Sequence, residues 1–131
     1  KLSDMKTLFA LAAVILLAQP LQVSGQEKDQ LPMKTYTFVM LKKGLNRTQD
    51  SLQIADIQKR HLEHISTMAK TGDLNVAGPF LDDGYWRGLL IFNTEDVEKV
   101  KKLVEADPAV SSGRLSYEIH PWMAQQGTTL K

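Results

Sequence analysis

The segment spanning residues 59–65 reads KRHLEHI and sets two histidines, His61 and His64, three residues apart. Imidazole changes charge near neutral pH and serves as general base, proton shuttle or metal ligand, so these are the first side chains to weigh. His120 is the only other histidine, and the chain has no cysteine. Disulfides, thiolate metal sites and thiol nucleophiles are therefore excluded. A His-x-x-His pair on one helix could hold a metal, but no cysteine or evident third ligand accompanies it, and neither a metal nor a cofactor is expected. Acid–base chemistry and ordinary helical packing are the other readings of these two rings.

The helix that must position them runs over residues 51–70. It lacks Gly and Pro, carries apolar residues at helical spacing and stops before Thr71-Gly72. At 3.6 residues per turn, Ile54, Ile57, Ile65 and Met68 all fall within about 40° of His61. His61 therefore sits inside the apolar stripe, pointing under cover, where it is either a satisfied core side chain or a base held against the sheet. His64 lies about 60° away on the flank, beside Arg60 and Glu63. It is expected to be a rim histidine whose replacement costs within roughly ±0.5 kcal/mol.

The remaining elements follow from punctuation. Residues 34–41 (KTYTFVML), 74–80 (LNVAGPF), 86–92 (WRGLLIF) and 114–120 (RLSYEIH) read as strands. The Gly-Pro of the second marks an edge or a bulge, and Asp83-Gly84 signals a hairpin into the third. A second helix is expected over 95–105 with Thr94 as N-cap. Asp107-Pro108 has the form of a further N-cap followed by proline at the first helical position, opening a short turn that Gly113 ends. The order β-α-β-β-α-β is the split βαβ, or ferredoxin-like, pattern: an α+β fold with a four-stranded antiparallel sheet and two helices on one face. Tyr36, Phe38 and Met40 alternate with Val39 and Leu41, so both faces of the sheet are apolar. The uncovered face is expected to meet a second copy, giving a homodimer through the sheet faces.

The chain has 131 residues, enough for one domain with a real core, and a net charge of +1 with both signs interspersed. That balance points away from nucleic acid, and the expected partner is a small-molecule substrate or ligand. From Met5 the sequence runs MKTLFALAAVILLAQPLQVSGQE. Lys6 supplies a positive start, and the apolar run over 8–18 is well short of the ~20 residues of a membrane span. Pro20 breaks it, and Val23 and Gly25 suit cleavage before Gln26. Residues 1–25 are accordingly expected to be a leader, with a signal peptide over 5–25. The product is expected to be periplasmic or secreted, without stable membrane insertion after cleavage. Residues 26–33 read as a linker, 34–122 as the domain and 123–131 as a C-terminal tail.

Five pieces, in order, carry a resemblance: RHLEHI at 60–65, AGPFLDDG at 77–84, RGLLIF at 87–92, VEADPAVSSGR at 104–114 and EIHPW at 118–122. Over residues 34–122, about 90 residues, the chain resembles the YCII-related family of dimeric α/β-barrel proteins. The resemblance implies an active site built on a histidine and an aspartate, corresponding to His61 and Asp107, and no cofactor. Some related proteins are dehydrochlorinases of chlorinated hydroxyquinols. A carboxylate beside a histidine would hold the ring and stabilise its imidazolium. Arg60, Arg87 and Arg114 are candidates to bind an anionic or phenolate substrate, and Trp86 and Tyr117, with Phe80 and Trp122, to wall a small pocket.

Three function classes stay open at this level. The first is a small cofactor-free lyase, isomerase or hydrolase using a His61–Asp107 pair. The second is a non-catalytic ligand-binding or accessory dimer in which His61 is a buried polar group and Asp107 a helix cap. The third is a heme- or metal-associated monooxygenase-like protein on the same fold.

Overall fold

The computed structural model describes residues 31–130; the leader expected over 1–25 and most of the linker lie outside the described residues. The elements are β1 (Met33–Lys43), α1 (Ser51–Lys70), β2 (Leu74–Pro79), β3 (Trp86–Phe92), α2 (Val97–Glu105), α3 (Pro108–Ser111) and β4 (Leu115–Gln125). The strands form one sheet in the order β2-β3-β1-β4, with every pairing antiparallel. This is the ferredoxin-like arrangement, and β2 is an edge strand, as its Gly-Pro implies.

One face of the sheet carries the core. Val39 and Leu41 of β1 and Leu90 and Phe92 of β3 pack with Met68 of α1, Leu74 of β2, and Val100 and Val104 of α2. Strand alternation puts Thr37 on the same face, fully buried, and its hydroxyl donates to the Thr94 carbonyl at 2.8 Å. The opposite face presents Phe38, Met40, Val76, Leu89 and Ile91, each half-buried, and Tyr36, whose ring tilts against Trp122 at 6.0 Å.

Local chemistry sets the ends of α1. The Asp50 carboxylate accepts from the Gln53 N–H while the Gln53 side chain accepts from the Asp50 N–H, a reciprocal capping box. At the other end Gly72 takes φ +81°, which glycine adopts without steric cost.

Two boundaries differ from expectation. The second helix begins at Val97, because Asp96 and not Thr94 is its N-cap: the carboxylate accepts from the Lys99 N–H at 2.9 Å. Thr94 instead accepts from the Asp96 N–H, a local turn that precedes the helix. The last strand continues past Pro121 to Gln125, taking in three residues read as tail and pairing Met33 with Gln125. Proline is tolerated there because β4 is an edge strand.

Candidate active site

His61 projects from the middle of α1, and Asp107 lies in the link between α2 and α3. Asp107 has extended backbone (φ −66°, ψ 126°), and its Oδ1 accepts from the Ala109 N–H at 2.8 Å, capping α3. Its other oxygen, Oδ2, lies 2.7 Å from Nδ1 of His61. Asp107 is 2% exposed, and the His61 side chain 12%. A carboxylate taken out of water needs its lone pairs occupied, and here one backbone donor and one imidazole occupy them. A carboxylate only accepts, so in the neutral ring Nδ1 carries the proton and Nε2 the lone pair. Nε2 makes no hydrogen bond among the described residues, and His61 borders a cavity of about 340 Å³.

That cavity lies between α1 and the sheet, at the low end of the ~300–1,000 Å³ typical of ligand pockets. Ile57, Leu62 and Ile65 supply its helix wall, Gly88 and Leu90 its sheet side, and Arg114 and Leu115, at the start of β4, also line it. Gly88 keeps the sheet side thin: a Cβ there would stand 2.7 Å from the Gly78 carbonyl oxygen. Gly44 plays a comparable part at the end of β1. A Cβ on it would collide with the Gly113 carbonyl and come within 2.7 Å of the Arg114 carbonyl carbon. The close approach lets the Gly44 and Asn46 N–H groups donate to the Arg114 and Gly113 carbonyls at 2.9 and 3.1 Å. The loop that follows then delivers Arg47 to the cavity, its Nη1 donating to the Arg114 carbonyl at 3.2 Å.

The candidate residues divide on inspection. His61 and Asp107 are in direct contact, and Arg87 and Arg114 line the cavity. Arg60 does not; it faces solvent on α1 and pairs with Asp56, Nη2 to Oδ2 at 2.7 Å. Trp86 is 57% exposed and packs on Phe80 with ring centroids 6.5 Å apart, outside the cavity lining. Tyr117 packs against the core instead, donating its hydroxyl to Glu105 at 2.6 Å. That bond, with burial adding to it, pushes its phenol up to about 12. His64 also departs from expectation. It is half-buried, and its Nε2 lies 2.8 Å from the Leu103 carbonyl, so it ties α1 to α2 instead of standing at a free rim. The two rings thus serve different partners. Among the described residues no group of three or more His, Asp or Glu side chains could hold a metal ion.

Sequence reasoning missed Arg47 and Gln58. Gln58 lies one turn before His61 on the same helix face, a spacing that could have marked it. Arg47 sits in a loop with no periodic signal.

Residues 37–123 match the family model described as the YCII-related domain. The chain belongs to the YCII-related family. Among solved structures, this YCII-related chain is similar to the 5-chloro-2-hydroxyhydroquinone dehydrochlorinase of Burkholderia phenoliruptrix, solved in complex with 2,5-dihydroxybenzoquinone. Identity is 24% and the TM-score 0.50, over 66% of this chain and 92% of that one. It is also similar to a muconolactone isomerase, at 11% identity and a TM-score of 0.56, over 73% of this chain and 96% of that one. At these identities the likeness is one of fold. No curated protein matches the chain. Among the described residues no helix is long and apolar enough to cross a membrane.

Proposed function

We propose that this YCII-related protein is a small enzyme that uses His61 as general base and Asp107 as its positioning partner. Its reaction would be a lyase, isomerase or hydrolase step on a small molecule, carried out by its own side chains. The observation that carries the reading is the 2.7 Å contact of Nδ1 with a buried, capped carboxylate, which leaves Nε2 free beside the cavity. In that geometry Nε2 takes a proton from a weakly acidic C–H or O–H, and the bonding pair stays on the substrate. Asp107 stabilises the resulting imidazolium. The pair then either expels a leaving group, completing an elimination, or is reprotonated at another carbon by His61, completing an isomerisation.

The structural neighbours supply the first substrates to try: 5-chloro-2-hydroxyhydroquinone for chloride release and muconolactone for isomerisation in deuterium oxide. Turnover with solvent deuterium incorporation, abolished in His61→Asn, is the expected result. Equal rates for wild type and His61→Asn would overturn it.

The same reading includes a homodimer through the open sheet face, supported by the five half-buried apolar side chains there, and export by the leader. Expression with the natural leader should give a mature chain starting at or near Gln26 by intact mass.

A further inference from the structure

The three arginines at the cavity are not equivalent. Arg87 is neutralised by Asp83, Nη1 to Oδ1 at 2.7 Å, and also reaches the Gly84 carbonyl. Arg47 spends one N–H on the Arg114 carbonyl, leaving most of its five donors available. Arg114 is half-buried, and its guanidinium has no hydrogen bond or ion pair to any described residue. No acidic side chain is among the residues lining the cavity; Asp107 stands behind His61 and is occupied on both oxygens. The Asp83 carboxylate is shared among Arg87, Lys43 (Nζ to Oδ1 at 3.9 Å) and, from further off, Arg47. The cavity therefore holds an excess of positive charge with one unspent guanidinium fork. The wall facing it is aliphatic.

We infer that the cavity takes a small organic carboxylate, its anionic group held by Arg114 with Arg47 and its apolar body lying on Ile57, Leu62, Ile65 and Leu115. A guanidinium presents two parallel N–H donors that match the two oxygens of a carboxylate, so a carboxylate uses the fork better than a phenolate does. A half-buried cation without a partner is unfavourable, and a carboxylate ligand supplies the partner. This rests on the cavity beside His61 being the substrate site, and it adds the class of substrate and a residue, Arg47, that binds it.

Benzoate and its neutral isostere benzamide, titrated into the full chain, test the inference. Imidazole resonances of His61 and backbone amides report binding. Benzoate should shift the His61 ring and bind at least tenfold more tightly than benzamide. Arg114→Gln should erase that preference and Arg114→Lys should restore part of it, since lysine keeps the charge without the fork. Arg47→Gln should weaken benzoate several-fold. Equal binding of the two probes, benzoate binding indifferent to Arg114→Gln, or no benzoate binding at all would each overturn the carboxylate class. The general-base reading fails separately: it falls if His61→Asn keeps full turnover, whatever benzoate does. Conversely, loss of selectivity for benzoate with turnover still dependent on His61 sinks only the inference about the substrate.

Discussion

At the scale of single residues, Asp107 has two roles that one carboxylate fills at once. Oδ1 caps α3 and Oδ2 meets His61. Asp107→Ala should lose the cap and leave the His61 N–H unpaired, a combined cost of about 2–4 kcal/mol in urea unfolding. Asp107→Asn should stay folded yet lose most turnover. Combined with His61→Asn it should be little worse than either single change, because groups acting as a unit are strongly non-additive. His64→Ala should cost about 1 kcal/mol through its lost bond to the Leu103 carbonyl, and a value near zero would show that bond to be unimportant. Tyr117 provides a spectroscopic check. Its raised phenol means that the stability it contributes is complete below the ordinary tyrosine value of ~10. That contribution is lost as pH rises toward about 12. Ultraviolet titration should find one tyrosine ionising near that upper value, and Glu105→Gln should bring its midpoint down, since the Glu105 hydrogen bond is the largest cause of the shift. His61 was legible because it breaks an apolar stripe, whereas the partner of His64 was not: helical angle says which way a side chain points, not what the next helix puts there.

At the scale of elements, the order and type of all four strands and both main helices could be read from the sequence, because periodicity and turn residues agreed. What failed was competition between neighbours. Thr94 and Asp96 both suit an N-cap, and Asp96 takes the place because its carboxylate meets the Lys99 N–H while the Thr94 hydroxyl is held by the Asp96 N–H. Asp96→Ala should therefore destabilise by about 1 kcal/mol and Thr94→Ala by less, with thermal unfolding as the measure. Arg47 escaped for a different reason. Its place depends on Gly44 packing on the backbone at Gly113 and Arg114, a non-local contact. Gly44→Ala should cost about 1–3 kcal/mol through overpacking. It should also displace the loop that carries Arg47, weakening benzoate binding along with stability. Unchanged stability would mean that this approach does not hold the loop.

At the scale of the whole molecule, the sheet is finished on one face and open on the other. α1 and α2 close the first over Val39, Leu41, Leu90 and Phe92. The second carries Phe38, Met40, Val76, Leu89 and Ile91 on three adjacent strands, rimmed on β4 by exposed Glu118 and His120. The polar side chains of that rim are already engaged in part: Lys42 donates to Glu118 at 2.6 Å, which holds the Glu118 carboxyl below its usual range. An apolar centre with a polar rim is the composition of a protein interface. The homodimer proposed above would set this face against a copy of itself across a two-fold axis. Light scattering at micromolar concentration should therefore give twice the monomer mass. Phe38→Glu places a charge at the centre of that face, on β1 between Ile91 and His120. It should convert the dimer to a monomer with its far-ultraviolet circular dichroism retained, because the helix-covered core lies on the other side of the sheet. A wild-type monomer would refute the pairing outright. A Phe38→Glu protein that stays dimeric would place the interface elsewhere on the molecule.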